Sequence, residues 1–188
     1  ADRQGDIAFI REQGLRYGFE AGSTPTFAID GERVSSTRIR QALECADFGT
    51  AQALLGRPYS ISGRVIHGRH LGTAIGTPTA NLELRRLRAP LSGVYTVEVS
   101  GGGLVNAHGV ANVGVRPTVD DSIKANLEVH LLDRSIDLYG RHIEVTFRHK
   151  LREEIKFGSI AELQENIARD IENSRAWFGR SENSMTTL

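Results

Sequence analysis

The sequence predicts a mainly β fold with helices before and after it, a small closed barrel or sandwich. Short β-like runs at Tyr59–His67, Val94–Ser100, Leu104–Val113, Ala125–Asp133 and Ile143–His149 are separated by turn residues. Gly101-Gly102-Gly103 joins two of them as a hairpin signal. Many short strands with glycine-rich turns are the pattern of such folds. A helix then closes the module: Ser159 and Glu162 form a capping box, and Ile160, Leu163, Ile167 and Ile171 mark one apolar face. Trp177 and Phe178 are expected to anchor the end of that helix.

The chain ahead of the strands reads differently. Ser35 or Ser36 can cap a helix whose apolar positions Ile39, Ala42 and Leu43 follow at i, i+3 and i+4. Gly49 interrupts, and Thr50–Leu55 reads as a further turn or two of helix before Gly56. Arg57-Pro58 ends this region, because proline disfavours helix in the residue before it. The pattern therefore divides at residue 56, with the β module over 57–178. The last residues, 179–188, lack periodicity and are expected to be a disordered tail.

Composition narrows the class. A chain of 188 residues can bury a core as one domain with a small appendage. Its 23 Lys+Arg balance 23 Asp+Glu, which argues against non-specific binding to nucleic acid or a membrane surface. The single Cys45 cannot form an internal disulfide, and a buried packing role in a helix is expected for it. No signal peptide or long apolar run is present, so the expected location is cytoplasmic.

The chemistry concentrates in His67–Leu82, HGRHLGTAIGTPTANL. Gly68, Gly72 and Gly76 recur every four residues and lead into Pro78-Thr79-Ala80-Asn81. Glycines let a backbone approach a ligand closely, since no Cβ intervenes. The Thr79 hydroxyl and Asn81 carbonyl, separated by one residue, supply the hard oxygen ligands that Mg²⁺ favours. The stretch reads as a phosphate-cradling loop followed by a metal-binding pair. No Gly-Lys dipeptide occurs, so there is no P-loop, and no GxGxxG leads from a strand into a helix.

HGRHLGTAIGTPTANL resembles the signature of the riboflavin kinase family, in which a histidine-glycine turn leads through spaced glycines to Phe-Pro-Thr-Ala-Asn. The resemblance continues in family order through Pro90–Tyr95, Gly109–Gly114 with Arg116-Pro117-Thr118, and Leu127–Asp133. It goes on with Asp137–Gly140 and Lys150-Leu151-Arg152 up to Phe157, covering about 57–178. It implies a six-stranded Greek-key barrel and an ATP:riboflavin 5′-phosphotransferase that uses Mg²⁺, ATP and riboflavin. Upstream, Val34-Ser35-Ser36-Thr37-Arg38-Ile39-Arg40 resembles an element of nucleotidylyltransferases that precedes the kinase module in bacterial bifunctional riboflavin kinase/FAD synthetases. Arg3-Gln4-Gly5-Asp6 is similar to the stretch before it. No HxGH-type ATP motif is present, so 1–56 is expected to be the tail end of an FMN adenylyltransferase domain, able to contact the rest of that domain.

In Ala125–Asp133 the apolar Leu127, Val129 and Leu131 alternate with Asn126, Glu128 and His130, which places the latter three on the face away from the core. Periodicity alone makes that a solvated face; the resemblance makes Glu128 the catalytic base. The resemblance also implies that Gly68, Gly72, Gly76, Pro78, Thr79 and Asn81 bind ATP, with Thr79 and Asn81 holding the metal. Asn112, Arg152 and Glu154 are implied to face the flavin, and Gly109–Thr118 to form a flap. A structural hydrogen bond is expected of His130, and packing against the closing helix of Phe157. The chain departs from the family at Thr77, where an aromatic is usual, at Arg69, His70 and Thr73 in the glycine loop, and at Arg134. A non-catalytic flavin-binding regulatory module is the competing reading, which intact Thr79, Asn81 and Glu128 oppose.

Overall fold

The computed structural model describes residues 7–22, 25–68, 76–84, 89–117 and 123–185. Its contacts divide the chain at Ser35/Ser36 into two compact units, where the sequence pattern divides at residue 56. In the first unit α1 (Ile7–Tyr17) stops at Gly18, which takes φ 74°; the N–H groups of Gly18 and Phe19 both bond the Gly14 carbonyl. A two-stranded hairpin follows, β1 (Ala28–Ile29) and β2 (Glu32–Arg33). Asp30 and Gly31 both have positive φ, as the tight hairpin turn that matches strand twist requires.

The second unit opens with α2 (Ser36–Glu44) and α3 (Phe48–Leu55). Asp47 caps α3 by accepting the Thr50 N–H, and the Thr50 hydrogen bonds hold its carboxyl below the usual value. Gly49 therefore lies inside α3 rather than ahead of it. Six strands then form a closed antiparallel barrel: β3 (Ser60–Ile66), β4 (Ala80–Glu83), β5 (Gly93–Gly101), β6 (Leu104–Pro117), β7 (Ile123–Leu131) and β8 (His142–Arg152). Their order around the barrel is β3-β4-β7-β6-β5-β8. The run β8-β5-β6-β7, a meander whose fourth strand returns beside the first, is the Greek key implied by the resemblance.

Alternation along each strand fills the barrel. Leu82, Val97, Val99, Val113, Leu127, Val129, Ile143 and Val145 are all buried within it. Ala42, Leu43 and Ala51 from α2 and α3 belong to the same core, and Phe48 sets its ring 6.0 Å edge-on to Tyr95 and 6.3 Å from Phe147. The two short helices thus pack as part of the barrel unit. Cys45, expected to be buried, is exposed just past the end of α2.

The outer barrel face carries a second cluster of Val94, Val110 and Leu132. It is covered by α4 (Ile160–Met185) through Phe178, with Trp177 and Ile171 packed beside it. Phe178 stacks on His108 and Trp177 on His149, so both aromatics anchor the helix as expected. Glu162 N–H bonds the Ser159 hydroxyl at 3.1 Å, while the Glu162 carboxylate reaches back to the Gly158 N–H. Ile160 is exposed instead of joining the apolar face. The helix runs on to Met185, so the expected disordered tail is helical as far as that residue.

Candidate active site

Register places the site. Asn81 of β4 pairs with Glu128 of β7, Glu128 with Asn112 of β6, Asn112 with Val94 of β5, and Val94 with Arg152 of β8. Directly opposed residues of antiparallel strands share a face, and neighbouring strands lie about 4.8 Å apart. Asn81, Glu128, Asn112 and Arg152 therefore form one row across adjacent strands, on the outer face. Leu82, Leu127 and Val113, the next residues along, point into the core.

Each side chain in the row has a distinct environment. Asn81 is 5% exposed; its amide nitrogen donates to the Thr79 carbonyl at 3.4 Å, and its Oδ1 finds no hydrogen-bond donor among the described residues. A buried acceptor without a partner is rare, because it forfeits its hydration. A Cβ on Gly68 would collide with the Asn81 amide group, so glycine is needed there for the loop to lie against it. Glu128 accepts a hydrogen bond from Asn126 Nδ2 at 2.9 Å, which fixes the carboxylate within the row. His130, one turn of the pleat further on, lies 2.9 Å through Nδ1 from the Pro78 carbonyl, the structural bond expected of it.

Two clefts meet at this row. The first, about 340 Å³, lies between the Gly68 and Pro78–Asn81 segments and the loop Arg134–Tyr139. The His67 ring stacks on Tyr139 at its edge. The second, about 190 Å³ and mostly apolar, runs beneath α4 between Glu128, Asn112, Arg152, Glu154 and Phe157 on the barrel side and Leu163, Ile167 and Ile171 on the helix. Thr79 lines both, and is the residue they share among the described ones.

Several expected site residues stand apart from their expected settings. Of the flap expected over Gly109–Thr118, Gly109–Val113 is the body of β6, paired with β5 and β7, Gly114–Pro117 continues that strand paired with β7, and Thr118 lies outside the described residues. A Cβ on Gly114 would collide with the Glu154 carboxylate, so the close approach there is made by Glu154 rather than by a ligand. Gly76 has φ 81°, which only glycine adopts readily, while Gly72 and the departures Arg69, His70 and Thr73 lie outside the described residues. Among the described residues no three His, Cys, Asp or Glu side chains gather as metal ligands, and no helix is long and apolar enough to cross a membrane.

The sequence profile described as "Flavokinase: Riboflavin kinase" matches residues 55–178. The chain belongs to the riboflavin kinase family. It is 52% identical over 179 residues to the bifunctional riboflavin kinase/FMN adenylyltransferase of Escherichia coli K12, covering 95% of this chain and 57% of that protein. With the protein of the same name from Pseudomonas fluorescens the identity is 51% over 175 residues, covering 93% and 56%. The chain thus spans a little over half the length of these curated relatives. Among solved structures, one titled as a macrolide-efflux protein from Streptococcus pneumoniae superposes with a TM-score of 0.70 at 32% identity, covering 93% of this chain and 56% of that one.

The riboflavin kinase signature missed one residue of the second cleft. Asp170 of α4, with its side chain 7% exposed, takes Arg152 Nε at 3.0 and 3.1 Å and Nη2 at 2.7 Å. Arg152 Nη1 donates to the Glu153 carbonyl, and its guanidinium lies 5.6 Å over the Phe157 ring. The Nε/Nη2 edge of Arg152 is thus held by Asp170. A signal was present: Asp170 falls three residues after Ile167 and beside Ile171, a carboxylate inside the apolar stripe of an amphipathic helix.

Proposed function

We propose that this chain transfers the γ-phosphoryl group of ATP to the 5′-hydroxyl of riboflavin, giving FMN and ADP. The single observation behind this is Thr79, the common wall of a more polar cleft that contains Asn81 and a mostly apolar one that contains Glu128. Two substrates that must exchange one group need sites that touch at the transferred atom. The more polar cleft, with Gly68 and Pro78–Asn81, suits the nucleotide phosphates. The apolar cleft under α4 suits a flat ring system with its polar chain toward Glu128.

Mg²⁺ fits the residues present. The unpartnered Asn81 Oδ1 and the Thr79 hydroxyl would hold it, and when bound it neutralises charge on the phosphates. Glu128 then accepts the proton as the ribityl oxygen bonds phosphorus and the bond to the departing ADP oxygen breaks. One Glu128 oxygen accepts from Asn126, and the carboxylate lines the cleft in which the hydroxyl would lie. Asn112, beside Glu128 in the row, is read as orienting the flavin chain, and Glu154 as flanking the ring.

The resemblance of Val34–Arg40 supports a parent protein that also adenylylates FMN, in which the residues ahead of the barrel end the adenylyltransferase domain. The reading places the protein in the cytoplasm, with small-molecule partners and no nucleic acid. The test is incubation with riboflavin, ATP and Mg²⁺ and chromatographic separation of the flavins. FMN with equimolar ADP is expected, without FAD. Tight flavin binding with no FMN would replace this reading with the regulatory module.

A further inference from the structure

The loop Arg134–Tyr139 walls the first cleft opposite Gly68 and Asn81, and the chain is pinned on both sides of it. Before the loop, Leu132 is buried in the outer cluster and its N–H bonds the His108 carbonyl. At its far end, Leu138 is buried in the barrel core, the Gly140 N–H bonds the Val65 carbonyl, and Tyr139 stacks on His67. A loop held in this way is pre-organised for what its side chains bind. Its two nearest acids are already engaged. Asp133 Oδ1 accepts Arg175 Nη2 of α4 at 2.6 Å, and Asp137 Oδ1 accepts the Tyr139 N–H at 2.9 Å. Arg134 is the lone lysine or arginine lining this cleft among the described residues, and it makes neither a hydrogen bond nor an ion pair with any of them. A guanidinium keeps its charge and presents a rigid fork of donors, so one without protein acceptors is left to water or to a ligand.

We infer that Arg134 is a further nucleotide-binding residue, whose guanidinium takes the phosphate chain of ATP from the wall opposite Thr79 and Asn81. The inference rests on the proposed reading of this cleft as the nucleotide site. Across the cleft, Gly68, Pro78, Thr79, Ala80 and Asn81 carry no charge, so that wall can hold a cation but cannot itself neutralise phosphate oxygens. Arginine meets phosphate through paired charge-assisted N–H···O bonds, stronger than those between neutral groups. A magnesium-bound triphosphate is still an anion, and Arg134 supplies the missing positive charge from the other side. Arg134 lines the first cleft and not the second, so the contact is made with the nucleotide and not with the flavin.

The experiment uses the full chain with Mg²⁺ and two ligands, ATP and inorganic tripolyphosphate, which has the phosphates without the nucleoside. Arg134→Gln is expected to raise KM for MgATP about tenfold and the inhibition constant of tripolyphosphate by a similar factor, with riboflavin KM and kcat little changed. Arg180→Gln removes the same charge from an exposed position of α4 that lines neither cleft, and is expected to leave these constants as they are. An unchanged MgATP KM in Arg134→Gln overturns the inference. A raised KM with an unchanged tripolyphosphate constant also overturns it, since Arg134 would then meet the nucleoside. An equal effect from Arg180→Gln does so too, by reducing the contact to long-range charge. Tripolyphosphate that fails to compete with MgATP on the unmodified chain removes the phosphate contact altogether. If the unmodified chain forms no FMN from riboflavin and MgATP, the proposed function itself falls, a result distinct from any change confined to the variants.

Discussion

The His130 imidazole and the Pro78 carbonyl, 2.9 Å apart, join the strand of the proposed base to the segment of the proposed metal ligands. A carbonyl only accepts, so Nδ1 carries the hydrogen. The bond acts two residues before β4 begins pairing, at Ala80↔Val129, and so extends the hold of β7 past the end of the ladder. Asparagine can place an amide nitrogen where Nδ1 sits, whereas glutamine reaches the Nε2 position. His130→Asn is therefore expected to keep near-normal kinetics, and His130→Gln to raise KM for Mg-ATP about tenfold, with riboflavin KM little changed. Steady-state kinetics of the two variants decide the point, and equal behaviour would remove the clasp.

Glu128→Gln retains the size of the side chain and its bond partner while removing the proton acceptor. Turnover is expected to fall about 10²–10⁴-fold, with riboflavin affinity nearly unchanged. Single-turnover FMN formation beside a fluorescence titration checks both halves.

Asn81 offers a prediction of opposite sign for activity and stability. Its buried Oδ1 has no donor among the described residues, so replacing it with leucine removes an unsatisfied acceptor. Asn81→Leu is expected to abolish FMN formation at ordinary Mg²⁺ while raising stability by about 1 kcal/mol in urea unfolding. Reduced stability with retained activity would show that the oxygen serves packing and not a cation.

Tyr95 is 1% exposed and donates to the Ser92 carbonyl at 2.6 Å. Burial, and then the Glu153 carboxylate, push its hydroxyl up to about 12 from an ordinary value of 10.0. A raised folded-state value means the unfolded chain ionises first. Stability from this group is complete below about pH 10 and is lost as pH rises toward 12. Tyr95→Phe is expected to cost about 1 kcal/mol at neutral pH, through the carbonyl left without its donor. Part of the alkaline loss should then vanish in urea midpoints measured from pH 8 to 11.

The parts of the fold legible in the sequence were those with a local period. The alternation through Leu127, Val129 and Leu131 set the face of Glu128 correctly, since strand geometry forces it. β4 was hidden because four residues beginning just after Pro78-Thr79 are too few to show a period. Gly109 and Gly114, which the resemblance placed in a flap, belong to β6, whose run Leu104–Val113 was legible as a strand. Both are strand glycines where a Cβ would meet the His130 carbonyl or the Glu154 carboxylate, contacts made by residues distant in sequence. The grip of Asp170 on Arg152 was invisible for the same reason, as 18 residues separate the partners.

The row Asn81–Glu128–Asn112–Val94–Arg152 runs at right angles to the chain, and this has a consequence for folding. No contiguous segment contains the site, and every spacing in it is an interstrand spacing. A slip of one residue in any of those pairings would turn a working side chain inward, toward Leu82, Leu127 and Val113. Half-assembled forms of the barrel therefore have no partial competence. The capacity to bring both substrates together needs all four of those pairings, β4 with β7, β7 with β6, β6 with β5 and β5 with β8, in register at once.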